Sequence, residues 1–548
     1  MRRGLCRWDY VFAIFVGLYI FCILYKSSMP LMSGDDIAFF MSLQEGRQVW
    51  HGTDFEYKRF FPLAGWNLNI VNLFSSDPYA FSFGNSVVFL ITSISYYMLA
   101  LSFGASKRLA VLSFVLLSLS VGYVKIITQI TFPEMTQIMF LLLFLLCAYK
   151  FYKLVDSLKE NRTSYIYIYI YATLALIFAN CAIYLKEVSF IVVSGFGFFH
   201  LLFSKLDFFK HSATKPPLPK PCIVLDVLFM LSGVVFLALY FYFTFGASHS
   251  YNTIEGVFSP LRTFVVALLG APFVSIALIC MFISRIFIFV KTKGTLDVFW
   301  DSVLFVSIGY FCAFLLLGMG SFHYFMPVSF LACLYGLWFL KHFTISKKIL
   351  FAISVVLGLI LTLNTIPQGL HYFSLNKVQM RNLEQSMEFL ARYIKDNPRT
   401  TLYFDGFCRG NDRCYYFWQY GAVFQILPRI YGVSDFDIKS NEPNGKNFSI
   451  NQQSPLSFFN TDEVTSPQSG DLLIVSFMSD KPITQEYLKT LQEENILLFQ
   501  TQNFGYIPNF NLMSVGAYIL QKQGIKHPLS SIGNPFKLPS QIFIFKIP

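Results

Sequence analysis

The chain has 548 residues, of which 55% are hydrophobic and only 13% are charged. Soluble domains carry about 25% charged residues, so this composition excludes an ordinary soluble protein and favours a polytopic membrane protein. The net charge is +11, but the excess of Lys and Arg lies before residue 370, as cytoplasmic loops require. Nucleic-acid binding is therefore not predicted.

The N-terminus places Arg2, Arg3 and Arg7 before an apolar run that ends near residue 25. No small-residue cleavage site follows this run, so we predict a retained first span rather than a removed signal peptide. A long first outer loop, residues 27–79, comes next.

Two adjacent carboxylates, Asp35 and Asp36, open that loop. Acids at the edge of a bilayer stay near water, pair with a cation or take part in chemistry. Gly-Asp-Asp before an apolar run is also typical of a helix start, and the two interpretations are compatible. The pattern predicts a helix from Asp36 to Val49 with one apolar side, which we expect to lie in the membrane interface.

Apolar stretches of spanning length recur along the first two thirds of the chain. The Tyr-Ile alternation at 165–171 has the period of a strand, but its setting favours a helix, because an isolated strand leaves backbone groups unpaired in lipid. About eleven spans are predicted, at 9–26, 80–103, 109–124, 135–152, 165–184, 188–204, 222–245, 261–290, 300–318, 325–340 and 349–368.

The distribution of Lys and Arg predicts a cytoplasmic N-terminus, because every second loop is then basic. An odd number of spans places the C-terminal region outside. In this topology the residues that are candidates for catalysis or substrate binding all lie on the outer face. They are Asp35, Asp36, Glu134, Lys186, Glu187, Glu255 and His323.

Composition changes after Pro367. Strand-like runs at 401–404, 472–477 and 542–545 alternate with helical runs at 378–394 and 484–492, which predicts a mixed α/β extracytoplasmic domain over residues 371–548. This region shows no nucleophile elbow, P-loop or paired-glycine motif. Cys408 and Cys414 flank a short polar loop that is compatible with a disulfide in an oxidising compartment.

Five short motifs follow one another along the membrane part, residues 1–370. They are Asp35-Asp36 with Gly46, Phe61-Pro62-Leu63, Thr131-Phe132-Pro133-Glu134, Lys186-Glu187 and His323-Tyr324-Phe325-Met326-Pro327. This series resembles the motifs of GT-C integral-membrane glycosyltransferases, such as protein O-mannosyltransferases, lipid A aminoarabinose transferases and serotype-converting glucosyltransferases. His323 stands where the family usually has Arg. The resemblance implies a GT-C-like, all-α polytopic membrane domain.

The resemblance also implies a polyprenyl-phosphate-sugar donor and an extracytoplasmic acceptor, which is a glycan such as O-antigen, a lipid or a protein. The acceptor hydroxyl needs a base, for which Asp35 is the first candidate. Asp36 is the second, as base, orienter or metal ligand. The leaving phosphate needs positive charge. The candidate substrate-binding residues are Arg59, Glu134, Lys186, Glu187, His323 and Tyr324.

Structural roles compete with these assignments. Arg59 is also suited to a contact with lipid headgroups, Lys186 to snorkelling beside its neighbouring acid, and His323 to ending a helix. Hard carboxylate oxygens at Asp35 and Glu134 are compatible with a divalent cation, although no dedicated ligand set occurs. The cofactor therefore stays open.

Three other functions fit parts of the sequence. A glycan polymerase or ligase shares the many spans but uses a lipid-pyrophosphate donor. A transporter would carry charged residues at mid-membrane, and such residues are sparse here. In a membrane scaffold without enzymatic activity, Asp35 would have no catalytic role. For a bacterial chain, we expect the inner membrane as the location and an active site on the periplasmic face. The sugar and the acceptor are not specified by the sequence.

Overall fold

The computed structural model is a helical bundle followed by a small sheet. It describes residues 6–24, 31, 34–49, 59–157, 165–210, 218–246, 260–261, 263–264, 267, 272–292, 296–319, 321–342, 352, 355–356, 358–404, 425–440, 466–475, 485–524 and 541–548.

Eight helices in the described part of the chain are long and apolar enough to cross a membrane. The last of them joins a 3₁₀ turn, Phe322–Phe325, to a regular helix. The helices are α1 (Arg7–Leu24), α4 (Pro78–Ser102), α7 (Glu134–Asp156), α8 (Tyr165–Leu185), α9 (Ser189–Lys210), α10 (Lys220–Thr244), α12 (Val298–Leu317) and α13 (Met326–His342).

Further helices and five strands complete the described part of the fold. The remaining helices are α2 (Gly34–Gln44), α3 (Trp66–Phe74), α5 (Lys107–Ser118), α6 (Val121–Thr128), α11 (Pro272–Thr292), α14 (Ile366–Asp396), α15 (Ile426–Ile430), α16 (Gln485–Glu494) and α17 (Leu512–Lys522). The strands are β1 (Thr400–Phe404), β2 (Phe436–Ser440), β3 (Leu472–Val475), β4 (Ile496–Gln500) and β5 (Phe543–Lys546).

The eight spans confirm a polytopic helical membrane part but not the predicted number of eleven. The predicted span at 109–124 falls on α5 and α6, which are bent by 67° at a short break and count as one further span only together. The span at 261–290 ends in α11, whose apolar part is Ser275–Val290. The span at 349–368 lies partly outside the described residues. The Tyr-Ile alternation is helical, as predicted, and forms the start of α8.

The interior of the bundle is apolar and rich in aromatic rings. Helix α7 is its central element, with most of its side chains buried. Charges inside the bundle are paired, because an unpaired charge in a low-dielectric interior is costly. Arg285 contacts both carboxylate oxygens of Asp301, at 2.7 and 2.6 Å.

Helix α2 does not expose its apolar side to lipid, so the expected interfacial helix is wrong. Ile37, Phe40 and Met41 are buried in a core that includes Leu390 of α14 and Leu472 of β3. The apolar side of an amphipathic helix can be buried against lipid or against protein. Here it is buried against α14 and the sheet. The helix also ends at Gln44 rather than near Val49, and Gly46 follows with a φ of 73°.

The C-terminal region contains a five-stranded sheet with the order β2-β1-β3-β5-β4. Strands β2, β1 and β3 are parallel, and β5 pairs antiparallel with β3 and β4. The mixed α/β prediction is consistent with this sheet. The boundary at residue 370 stays a prediction, and the single helix α14 runs through it. Cys408 and Cys414 lie outside the described residues.

Helix α14 approaches the break between α5 and α6 closely. A Cβ atom on Gly369 would lie 2.4 Å from the carbonyl oxygen of Leu119, which belongs to the backbone and has little room to move. Nearby, the Asn376 amide donates to Thr128 Oγ1 at 2.7 Å. Gly369 therefore allows α14 to lie against this bent segment.

We predict that Gly369→Ala lowers the thermal-unfolding midpoint of the detergent-solubilised protein, because overpacking costs about 1–3 kcal/mol. Gly358→Ala is the matched control, since no atom lies within 4 Å of its added Cβ and Ala is the better helix former. Equal midpoints for the two variants would contradict the close approach.

Candidate functional site

The first turn of α2 is attached to the segment before α7 through Asp36. This carboxylate is fully buried, and its Oδ1 accepts the backbone N–H groups of Ile130 and Thr131, both at 3.1 Å. Hydrogen bonds to an ionised acceptor are roughly twice as strong as neutral ones. Asp36 therefore positions the loop that leads into α7.

The same loop carries Phe132, whose ring lies 4.5 Å from the imidazole of His323. His323 occupies the 3₁₀ turn before α13, and its Nδ1 lies 2.8 Å from Ser321 Oγ. The Nζ atom of Lys125 lies 5.1 Å from the Phe132 ring, in a cation–π arrangement. Phe132 is thus close to both the histidine and this lysine.

A buried ion pair forms at the start of α7. Lys186 Nζ lies 3.0 Å from Glu134 Oε1, and both side chains are almost completely buried. The lysine is held between two aromatic rings, 5.2 Å from Phe61 and 5.1 Å from Tyr324. Glu134 Oε2 is also buried and has no hydrogen-bond partner in the described part of the chain, so it is available to a polar ligand.

A second ion pair lies beside the first. Arg59 Nε donates to Glu187 Oε1 at 3.1 Å, and the guanidinium lies 4.5 Å from the Phe61 ring. Phe61 therefore contacts both Arg59 and Lys186. The two ion pairs therefore lie next to each other beside the ring of Phe61. Opposite charges attract more strongly in such a low-dielectric environment than in water.

Asp35 differs from its neighbour because its side chain is exposed. Desolvation and the adjacent Asp36 carboxylate raise the pKa of Asp35 above its ordinary value. A raised pKa makes a carboxylate a better proton acceptor once it is deprotonated. Of these two adjacent acids, Asp36 is therefore buried and hydrogen-bonded, whereas Asp35 is accessible.

The structure brings most of the predicted site residues together at one end of the helices. Glu134, Lys186 and Tyr324 are in contact, and the His323 ring lies 4.2 Å from that of Tyr324. Arg59, which is paired with Glu187, lies against the same Phe61 ring as Lys186. Asp36 is connected to the cluster indirectly, because it binds the loop at 130–132 that leads to Glu134. This arrangement makes the cluster a candidate active site, although the catalytic roles themselves stay proposals.

Sequence reasoning assigned no role to Phe61 and Phe132, although both lie inside the quoted motifs. It also missed a polar layer one turn below Glu134, in which the Gln137 amide donates to Ser189 Oγ at 2.7 Å and Tyr310 Oη at 3.3 Å. The spacing of three residues from Glu134 was the available signal.

The site residues give little support to the divalent cation that the sequence left open. Lys186 already neutralises Glu134, which reduces the charge available to such an ion. In the part of the chain that the structure describes, no group of three or more His, Cys, Asp or Glu side chains is placed to hold a metal.

We predict that Glu134→Gln and Lys186→Met each lower the free energy of unfolding by about 3–5 kcal/mol, because each leaves one buried charge uncompensated. The double variant should lose much less than the sum of the two. Denaturant unfolding in detergent measures this double-mutant cycle. Additive losses would show that the two groups do not interact.

No protein-family profile and no curated protein sequence matches the chain. Solved structures do. The apo state of ArnT from Cupriavidus metallidurans is 12% identical, with a TM-score of 0.47, over 90% of this chain and 96% of that one. The same ArnT bound to undecaprenyl phosphate matches with a TM-score of 0.45 and 12% identity, over 90% and 95% of the two chains.

An oligosaccharyltransferase of Archaeoglobus fulgidus is 13% identical, with a TM-score of 0.43, over 76% of this chain. The match spans only 61% of the length of that protein.

Proposed function

We propose that the protein is an integral-membrane glycosyltransferase that moves a sugar from a polyprenyl-phosphate donor to an extracytoplasmic hydroxyl. The acceptor class is a glycan such as O-antigen, a lipid or a protein, and for a bacterial chain the membrane is the inner membrane. The observation that carries the proposal is the gathering of a buried cation, Lys186, and a partly buried one, Arg59, at one end of the spanning helices. The accessible acid Asp35 is next in sequence to Asp36, which holds the loop before Glu134.

The reaction requires one bond to form and one to break at the anomeric carbon. The acceptor oxygen attacks this carbon while Asp35 takes the hydroxyl proton as general base. The bond from the anomeric carbon to the phosphate oxygen breaks, and the polyprenyl phosphate leaves with the electron pair. Attack opposite to the leaving group inverts the anomeric configuration.

The charge that develops on the leaving phosphate needs nearby donors. Lys186 and Arg59 supply them, and both cations lie close to the ring of Phe61. Glu134 and Glu187 hold the cations in place before the donor binds, since each contacts one of them at about 3 Å. Glu134 Oε2 then offers an acceptor to a sugar or acceptor hydroxyl, which makes Glu134 a substrate-binding residue. His323 and Tyr324 complete this side of the site.

Asp36 has a positioning role in this mechanism. Its two hydrogen bonds with Ile130 and Thr131 set the distance between α2 and the loop before Glu134. An asparagine at this position retains a carbonyl oxygen that accepts both N–H groups. At position 35, by contrast, asparagine removes the basic group itself.

We predict that Asp35→Asn lowers kcat about 10²–10⁴-fold, the usual contribution of a general base, while Asp36→Asn loses less than about tenfold. The measurement is sugar transfer by the purified protein from a panel of polyprenyl-monophosphate sugars, with folding of each variant checked by its unfolding midpoint. Retained activity in Asp35→Asn would exclude Asp35 as the base.

The donor panel also includes lipid-pyrophosphate glycans. Turnover of these alone would overturn the monophosphate donor and indicate a polymerase or ligase. Inactivity of the wild type with every donor would leave no support for the transferase.

The pH dependence of kcat/KM gives a separate test of Asp35. Activity should rise with pH as the base loses its proton, with a midpoint above the ordinary Asp value because the pKa of Asp35 is raised. Asp36→Asn removes one negative charge, so the pKa of Asp35 falls and the midpoint should move to lower pH. An unchanged midpoint would mean that a group other than Asp35 controls the rise of kcat/KM with pH.

A further inference from the structure

A second polar region lies at the other end of the helix bundle, away from the candidate site. It is a cavity of about 890 Å³ lined by the ends of α4, α7, α9 and α13 and by the residues around the starts of α10 and α12. Helix α7 begins at Glu134 and reaches the cavity at Lys153, which is about 28 Å away at 1.5 Å per residue. The proposed sugar transfer uses none of the residues in this cavity.

The cavity wall carries charges of both signs. Lys153 and Lys341 provide cations, and Asp156 and Asp297 provide carboxylates. Aromatic rings lie among them, including Trp300, which is buried. A wall of this kind is suited to a ligand with both a negative and a positive group, because each charge then has a partner.

One wall residue is fixed by a buried network. His200 is only 4% exposed, and its Nδ1 lies 2.8 Å from Asp226 Oδ2. Tyr152 donates to the other oxygen of Asp226, and its ring lies 4.2 Å from the imidazole. Since Asp226 occupies Nδ1, Nε2 is the nitrogen of His200 that remains for a ligand in the cavity.

Lys341 is also held in one place. Its Nζ donates to the carbonyl oxygen of Phe103 at 3.0 Å. The next residue, Gly104, has a φ of 79°, and a Cβ atom there would lie 2.1 Å from Lys341 Nζ. Gly104 therefore leaves the space that the ammonium group occupies at the wall.

We propose that this cavity binds the headgroup of a phospholipid that carries both a phosphate and a primary amine, such as phosphatidylethanolamine. The ends of spanning helices lie at headgroup depth, and basic pockets between such helices bind lipid headgroups. The volume is within the range of pockets that bind small molecules. Lys153, Lys341 and His200 face the phosphate, while Asp156 and Asp297 receive the N–H groups of the amine.

The amine distinguishes this lipid from two others. Phosphatidylglycerol carries a phosphate but no cation, so its headgroup would be repelled by Asp156 and Asp297 and would make no favourable contact with them. The quaternary ammonium of phosphatidylcholine has no N–H group to donate to these carboxylates. The order of affinity should therefore follow the presence of a primary amine rather than net charge.

The test measures the unfolding midpoint of the purified full-length protein in a neutral detergent. It is titrated with phosphatidylethanolamine, phosphatidylcholine and phosphatidylglycerol of identical acyl chains, and with soluble phosphoethanolamine. We predict a rise with phosphatidylethanolamine about twice that with either other lipid, because a ligand that binds the folded state stabilises it by mass action.

Lys341→Met and Asp156→Asn should abolish this preference, whereas Lys205→Met, an exposed residue of α9 outside the cavity, should keep it. Native mass spectrometry of the wild type, which needs no variant, should retain phosphatidylethanolamine over the other lipids. Equal shifts with all lipids, a larger shift with phosphatidylglycerol, or a preference kept by both variants would overturn the proposal. An equal shift with soluble phosphoethanolamine would overturn its lipid part. The assay does not depend on sugar transfer.

Discussion

The structure depends on the burial of α2 between the membrane helices and the C-terminal sheet. Asp36 attaches the start of this helix to the loop before α7, with two hydrogen bonds of 3.1 Å. Arg429 of α15 donates to the carbonyl oxygen of Met41 near its other end and pairs with Glu45. Both parts of the protein therefore fix the position of α2, which carries Asp35, the proposed base.

Charge compensation explains why each of the two cations of the site is paired with a carboxylate. A lone Lys186 or Arg59 at this depth would lose most of its hydration, and Glu134 and Glu187 replace it with a fixed partner. In the proposed transfer, the donor phosphate competes with these carboxylates for the two cations. The leaving phosphate of that reaction gains charge as its bond breaks, so its attraction to the cations grows relative to that of the unreacted donor. The cations of the proposed site therefore stabilise the transition state more than the ground state.

Local sequence patterns were sufficient for the features that depend on composition and period. They predicted the helical state of the Tyr-Ile run, most of the spans and the set of charged residues that lie together at one end of the helices. The lipid-facing surface expected for α2 was wrong, because an apolar helix face has the same sequence whether lipid or protein covers it. The ion partners could not be predicted either, since Arg59 and Glu187 are far apart in sequence and only the packing of the helices brings them together.

Three helices connect the candidate site to the cavity at the opposite end. α7 and α13 begin beside Glu134 and His323, and α9 begins just after Glu187. Each of them then reaches the cavity wall. Physical connection alone does not couple two sites, because a ligand shifts an equilibrium only by the difference in its affinity for two states. A headgroup that binds equally well with and without the sugar donor would stabilise the bundle and leave transfer unchanged. Lipid-dependent turnover would require a bundle arrangement that changes at both ends of these helices.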